Sequence, residues 1–249
     1  LAEFRAVFPD AREWRYIIES LATIIDEASF VGGEDGLRLR ALDPGRIAMV
    51  ELNLPASVFE EYEAEGEVRI GVNFDDLNKV IKRARAGDRL ELRVEGQRLV
   101  VVLLGRVERR FALPLLDIAG QELPEPRLSL TASAQMLSDT FRDALKDAAL
   151  FSESVRLKAE EDKLVMQARS DKGEWEAIFT RENGSLIDIS IEEPAEASYG
   201  LDFLDKIVSK AYRISEIITL RFATNMPLHL RFDIAGGGTL SYLLAPRME

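Results

Sequence analysis

The chain is written twice. Residues 71–76 read GVNFDD and residues 200–205 read GLDFLD, and each motif is followed by a charged stretch with apolar residues at helical spacing. The strand-like run Leu90-Glu91-Leu92-Arg93-Val94 is echoed by Ile218-Thr219-Leu220-Arg221-Phe222, and DGLRLRA at 35–41 lines up with DKLVMQA at 162–168. All three offsets fall between 127 and 129, about half of the 249 residues. A repeat of this length is a whole domain rather than a solenoid unit. Two copies of one fold are therefore predicted, an N-terminal domain at 1–116 and a C-terminal domain at 128–249, with a connecting linker at 117–127. A pseudo-symmetric pair of domains is a natural building block for a ring.

Composition removes most enzyme classes. With no Cys and one His, disulfide frameworks, thiolate nucleophiles, zinc sites and imidazole relays are nearly excluded. A hydrophobic fraction of 47% suffices for two cores, and 31% charged residues implies a soluble surface. No apolar stretch approaches the roughly 20 residues of a membrane span. The first residues (Phe4, Ala6, Phe8) read as a strand rather than a signal peptide, so a cytosolic protein is expected. Asn and Gln together number nine while Arg and Glu abound, the bias of proteins from hot habitats, where ion-pair networks gain value. A net charge of −12 argues against gripping nucleic acid over the whole surface. Local basic patches stay open, so the placement of charge matters more than its total.

Strand signals dominate. They fall at 37–41, 47–54, 68–72, 89–94, 98–104 and 109–113, then at 128–130, 155–159, 163–168, 175–180, 187–191, 217–222, 228–234 and 239–244. These runs alternate, are rich in β-branched residues and are punctuated by Gly, Pro, Asn or Asp, which predicts mostly antiparallel sheet. Four segments carry the helical period instead. Residues 10–27 align Trp14, Ile17, Ile18, Leu21 and Ile25, and residues 74–85 align Leu77, Val80, Ile81 and Ala84. Residues 133–149 align Leu137, Phe141, Leu145 and Ala148, with Ser133 as cap, and residues 202–213 align Leu204, Ile207, Val208 and Ala211. Asp10, Asn73 and Asp202 stand where caps belong. The predicted class is α+β, two similar domains of antiparallel sheet with two helices each.

Between the copies runs LLDIAGQELPEP (115–126). Pro124 and Pro126 favour an extended, semi-rigid path. Leu115, Leu116, Ile118 and Leu123 are too apolar for a solvated tether and should lie against a domain surface.

Opposite each apolar helix stripe stand cations: Arg12 and Arg15; Lys79, Lys82 and Arg83; Arg142 and Lys146; Lys206, Lys210 and Arg213. Spacings of three and four place each set on one outward face. For a single helix an ordinary solvated face explains such a run; its recurrence on four helices of an acidic chain weakens that explanation. Glu19, Asp75, Asp76, Asp139 and Asp143 lie near the same stripes and weaken the local field, so phosphate contact should be loose.

Four segments, LRALDPGRIAMVELNLPASVFEEY (39–62), GVNFDDLNKVIK (71–82), PLLDIAGQELPEP (114–126) and GGGTLSYLLAPRME (236–249), carry a resemblance. The chain resembles DNA sliding clamps of the proliferating cell nuclear antigen family, in its archaeal form, over essentially its full length. The resemblance implies the DNA clamp fold, with three subunits closing a pseudo-six-fold ring of six similar domains, helices lining the hole and sheets outside. It implies that the ten cations above face an encircled duplex without reading bases, and that the ring serves DNA polymerase as a processivity factor. Implied partners are double-stranded DNA, other clamp subunits (identical or paralogous), and DNA polymerase, flap endonuclease, DNA ligase and clamp loader, which dock through short peptide motifs. No catalytic residue, metal or cofactor is implied, and the expected place is cytoplasmic and nucleoid-associated. The family pattern carries more basic residues on the first and third helices, and Asp139 stands where some relatives have a cation. A weaker contact from that helix follows.

Two further sites come with the resemblance. The subunit boundary would pair the Arg-rich strand holding Arg106, Arg109, Arg110 and Phe111 with the acidic, apolar strand holding Glu174, Trp175, Glu176 and Ile178, their charges favouring head-to-tail contact. The partner-peptide pocket would comprise Leu42, Gly45, Ile47, Leu123, Pro227, Leu243, Leu244, Ala245 and Pro246. Leu243 replaces an aromatic of some relatives.

Other features are set aside. Gly236-Gly237-Gly238 lacks the Lys-Ser/Thr of a phosphate loop and reads as a hairpin turn, as does Gly32-Gly33-Glu34-Asp35-Gly36. The clusters Glu60-Glu61 with Glu63 and Glu65, Glu160-Glu161-Asp162, and Glu192-Glu193 read as turns rather than a convergent Mg²⁺ site. His229 is expected at the surface or an interface. A checkpoint-type clamp subunit and a β-rich scaffold that binds no DNA stay open as alternatives.

Overall fold

The structure, a computed structural model, describes residues 3–118 and 123–248. The chain divides into two compact units: Leu1–Pro44, Val50–Leu123 and Ile234–Leu240 in one, Gly45–Met49, Pro124–Asp233 and Ser241–Glu249 in the other.

The first unit runs β1 (Phe4–Phe8), α1 (Ala11–Ala22), β2 (Glu27–Gly33), β3 (Gly36–Leu42), most of β4 (Ala48–Pro55), a short 3-10 turn (Ala56–Val58), β5 (Glu61–Ala64), β6 (Val68–Asn73), α2 (Phe74–Ile81), β7 (Arg89–Glu95), β8 (Arg98–Leu104) and β9 (Glu108–Pro114). The second runs β10 (Ala132–Leu137), α3 (Ser138–Ala148), β11 (Ser154–Glu160), β12 (Lys163–Ser170), β13 (Gly173–Thr180), β14 (Asp188–Ile191), β15 (Ala195–Gly200), α4 (Leu201–Ala211), β16 (Ile217–Phe222), β17 (Leu228–Ile234) and most of β18 (Gly238–Leu244). The order of strands and helices is the same in both. Sheet order repeats too: β5-β1-β7-β8-β9 and β4-β3-β2-β6 in the first unit correspond to β14-β10-β16-β17-β18 and β13-β12-β11-β15 in the second. Pairings are antiparallel, as in Phe4↔Val94 of β1 and β7 and its counterpart Ala132↔Phe222 of β10 and β16. The α+β class and the two similar domains expected from the sequence are thus realised.

Each helix pair lies against its own unit's core. In the first unit Trp14 of α1 stands edge-on to Phe8 at 5.9 Å and near Phe30 at 6.4 Å, while Phe30 meets Phe74 of α2 at 5.6 Å. Aromatic pairs at such distances add about 1 kcal/mol each beyond area burial. In the second unit Phe141, Tyr199, Leu204 and Phe222 are fully buried.

Several sequence expectations need correction. The first helix stops at Ala22 rather than residue 27, where Thr23, Ile24 and Ile25 supply β-branched residues and β2 begins at Glu27. Residues beyond α2 close with tighter bonds, Arg83 N–H to the Val80 carbonyl and Ala84 N–H to that of Ile81. The predicted helix at 133–149 starts only at Ser138. Ala132, Ala134 and Met136 are buried in alternation with Ser133 and Gln135, a strand's period of two, so Ser133 is no cap and Leu137 faces out, 50% exposed. Residues 128–130 form no strand. Asp10 and Asn73 do cap α1 and α2, accepting from the amides of Arg12 (2.9 Å) and Asp76 (3.0 Å). Asp202 instead lies in the first turn of α4, after Gly200. Both glycine-rich runs do hold hairpin turns: Glu34 and Asp35 turn β2 into β3 between paired Gly33 and Gly36, and Gly236 and Gly237, with φ of 94° and 99°, turn β17 into β18. Glu61 and Glu63 lie in strand β5, and Glu160 ends β11.

Candidate nucleic-acid interface and docking surfaces

The four helices present cations in a common arrangement. α1 packs beside α2 and α3 beside α4. On every helix one cation is held by a carboxylate of the same helix: Arg15 by Glu19 (3.0 Å), Lys79 by Asp75 (2.8 Å), Arg142 by Asp139 (3.9 Å) and Lys206 by Asp202 (3.1 Å). The hydrogen bond to Asp75 raises the Lys79 pKa. A second cation, exposed, has no ion pair among the described residues: Arg12, Lys82, Lys146 and Lys210. Arg83 is exposed beside Lys82, its carbonyl taken by Arg109.

This pairing has a local cause. Glu13, Asp75, Asp76, Asp139 and Asp202 occupy first turns, and Lys79, Lys146 and Lys210 occupy last turns, the distribution that the helix macrodipole favours. On α2, α3 and α4 spacings of three or four then pair the earlier cation with a first-turn acid and leave the later one facing solvent, whereas on α1 the later Arg15 pairs with Glu19 and Arg12 is left to solvent. On α3 the acids Asp139, Asp143 and Asp147 outnumber Arg142 and Lys146, so its net field is weakest.

Tyr212 is a member of this surface that the sequence pattern does not single out. It follows α4, and the Arg142 guanidinium lies over its ring at 4.2 Å. Arg213 donates to its hydroxyl at 3.2 Å, which lowers the phenol pKa. Tyr212 thereby gathers two cations, Arg142 of α3 and Arg213 just past α4. A Tyr next to an Arg gives no such signal in one dimension.

The two strands expected at a subunit boundary are sheet edges: β9 borders the five-stranded sheet of the first unit and β13 the four-stranded sheet of the second. Arg109, however, turns inward. It donates to buried Asp88 at 2.6 Å and to the Arg83 carbonyl at 2.9 Å. Arg110 pairs with Glu95 (2.8 Å), Glu174 with Arg169 (3.0 Å), and Glu176 accepts from Gln167 (2.7 Å), all at the surface. Arg106 is exposed, Phe111 and Trp175 are half-buried, and Ile178 is 50% exposed. Next to β9, Val107 is 65% exposed.

Of the pocket residues, Ala245 donates its amide to the Ile47 carbonyl at 2.9 Å, so tail and loop meet in the second unit. Ile47 is 45% exposed there, Leu244 is core, and Pro227, Leu243 and Pro246 are half-buried. Gly45 and Ala245 are exposed. Leu42 and Leu123, both half-buried, belong to the first unit. In the linker Leu115, Leu116 and Ile118 are half-buried, as their apolar character demands. Positions 119–122 lie outside the described residues. His229 sits half-buried in β17 opposite Arg221. Among the described residues no three His, Cys, Asp or Glu side chains converge on a metal position.

Family models match both halves: the proliferating cell nuclear antigen N-terminal domain over residues 4–114 and its C-terminal domain over residues 125–247. The chain belongs to the proliferating cell nuclear antigen family. A DNA polymerase sliding clamp of Thermofilum pendens is 66% identical over 243 residues, 98% of each chain. The crystal structure of a proliferating cell nuclear antigen from Thermococcus kodakaraensis superposes with a TM-score of 0.93 at 34% identity, covering 98% of this chain and 100% of the other. A PCNA2-PCNA3 complex from Sulfolobus tokodaii gives 0.91 at 32% identity, with 98% and 100% covered.

Proposed function

We propose that this chain is a subunit of a ring that encircles duplex DNA and tethers DNA polymerase. The observation that carries this reading is the exposed cation without a carboxylate partner on every helix of a chain with net charge −12. Duplex DNA bears roughly one charge per 1.7 Å of axis, so a few cations, each with a half-neutralised neighbour, exchange phosphates at little cost. A ring held by closure needs no tight grip, and a tight grip would stop it sliding. An acidic remainder discourages binding elsewhere.

The ring forms head to tail, β9 of one copy against β13 of the next, with Val107 and Ile178 supplying apolar contact and Arg106, Arg110, Glu174 and Glu176 the charge complement. Three subunits, identical or paralogous, complete it. Partner peptides dock on the apolar surface around Ile47, Pro227, Leu243, Leu244, Ala245 and Pro246 of the second unit, and Leu42 and Leu123 are the candidate docking residues of the first. Beyond polymerase, the clients are flap endonuclease, DNA ligase and the clamp loader. The domains divide at 1–116 and 128–249 about the linker at 117–127. The reading assigns no catalysis and no cofactor. Its place is cytoplasmic, on the nucleoid; no helix among the described residues is long and apolar enough to cross a membrane.

The test is topological. Primer extension by a cognate polymerase on circular primed templates should become processive with this protein, and the gain should vanish on short linear templates with free ends. Equal stimulation on both would refute encirclement, and would favour a scaffold.

A further inference from the structure

We propose that Arg40 is a positioning residue that fixes the downstream end of the linker, and through it the wall that the linker offers to a partner peptide. This rests on the peptide-docking reading above. Arg40 lies on the outer face of β3, alternating with buried Leu39 and Ala41, two positions before Leu42 on the same face. Its neighbour on that face, Arg38, pairs at the surface with Glu67 at 3.3 Å. Arg40 does something different. Its Nε donates to Glu51 Oε2 at 2.8 Å, and its Nη1 donates to the backbone carbonyl of Leu123 at 2.9 Å, 83 residues along the chain.

The two ends of the linker are held unequally. Upstream, the amides of Leu115 and Leu116 donate to the carbonyls of Gln97 and Gly71, both at 2.9 Å. A Cβ on Gly71 would stand 2.1 Å from the Leu116 oxygen, so only glycine admits that approach. Downstream, the carbonyl of Leu123 precedes Pro124, a residue with no amide to donate and one that keeps its predecessor extended. The Arg40 side chain takes that carbonyl. Glu51 orients the guanidinium, whose planar fork reaches carboxylate and carbonyl at once; a lysine ammonium has no such fork. The position of Leu123 is therefore tied to the Arg40 side chain. Losing it leaves the upstream anchor intact and makes a bound peptide bear the cost of ordering the downstream end.

The test uses the full chain as wild type, Arg40→Gln, Arg40→Lys and Glu51→Gln. A fluorescein-labelled synthetic peptide presenting one helical turn with apolar anchors is titrated by anisotropy, and hydrogen exchange is followed along residues 115–127. Arg40→Gln should weaken peptide binding roughly ten-fold, the scale of one charge-assisted hydrogen bond. Arg40→Lys should fail to restore it, and Glu51→Gln should move it the same way by less. A nitroxide on Glu125→Cys, in a chain with no other Cys, should gain mobility when Arg40→Gln is added, while the amides of 115 and 116 stay protected from exchange and the melting temperature is unchanged. Equal peptide affinity in wild type and Arg40→Gln overturns the proposal, as does unchanged label mobility. If the wild type binds no peptide, the docking reading fails, and the label mobility alone still decides whether Arg40 holds the linker.

Discussion

At the level of single residues, partnered and unpartnered cations should behave differently. Replacing Lys210 or Lys146 with Ala removes a charge that faces only solvent, whereas Lys206 and Lys79 are already shared with Asp202 and Asp75. Each unpartnered lysine that neutralises one phosphate should, on removal, lower the slope of log affinity against log salt by about 1. The partnered lysines should change it by less. Titrating a labelled duplex over a range of low ionic strengths measures both, and equal slopes for Lys206→Ala and Lys210→Ala would show that the intrahelical pairs play no part.

Tyr62 gives a residue-level prediction for pH. Its hydroxyl donates to the Gly33 carbonyl at 2.6 Å, and burial pushes its pKa up from 10.0 to about 12. The phenol is neutral when protonated, so the folded state holds its proton more tightly than the unfolded chain. The resulting stabilisation is complete below the ordinary pKa and is lost as pH rises from about 10 to about 12. Tyr62→Phe should cost about 1 kcal/mol at neutral pH through the lost hydrogen bond. Denaturant titrations should then show the gap between the two proteins narrowing across that alkaline window. Tyr199, whose burial also raises its pKa, is present in both and cancels.

At the level of elements, Arg109 joins the edge strand β9 to the end of α2. Asp88 is 5% exposed and accepts from the Arg85 amide (2.8 Å) as well as from Arg109. Arg109→Ala strands that carboxylate in a nearly dry site and should cost about 3 kcal/mol. Asp88→Asn in the same background should recover part of it. A lower denaturant midpoint with unchanged slope is the expected signature. Nothing in the run Arg106-Val107-Glu108-Arg109-Arg110 separates the arginine that turns inward from the one that stays out. Strand alternation puts them on opposite faces, but the sequence does not say which face is covered.

The same limit explains what else is legible. The echo of GVNFDD in GLDFLD, with the alternating runs beside it, is enough for the duplicated α+β plan, because those segments combine strong period with strong propensity. β2 and β15 (EASFVGG and AEASYG) are rich in small residues of low strand propensity and hold their conformation through neighbours: β2 through β6 and β3, β15 through β11. β10 reads wrongly as helix because its apolar residues, continued into α3, fit a helical period as well as an alternating one. Among the site residues, amphipathic spacing locates the ten cations. Their division into partnered and unpartnered, and the role of Tyr212, depends on rotamers and on packing between helices distant in sequence.

At the level of the whole molecule, β9 and β13 are both edge strands of their sheets, and an uncovered edge invites unwanted pairing. β9 and β13 differ in sequence, so mutual coverage is heterologous and must close into a ring or run on as a filament. The inward turn of Arg109 makes its charge reversal a poor test, because a glutamate there would face Asp88 whatever the neighbour does. Arg110 and Glu174 are better placed. Their present partners are exposed, and such pairs are worth little and exchange readily. Arg110→Glu alone and Glu174→Arg alone should each shift the assembly toward smaller species by light scattering, and the double variant should recover it by restoring opposite signs across the boundary. Ile178→Asp should also dissociate it, with no rescue from the charge swap. Salt separates the two contributions, screening the charged contacts while leaving or strengthening the apolar one. If the double variant stays as dissociated as either single change, charge does not set the head-to-tail register, and Val107 and Ile178 are left to carry it.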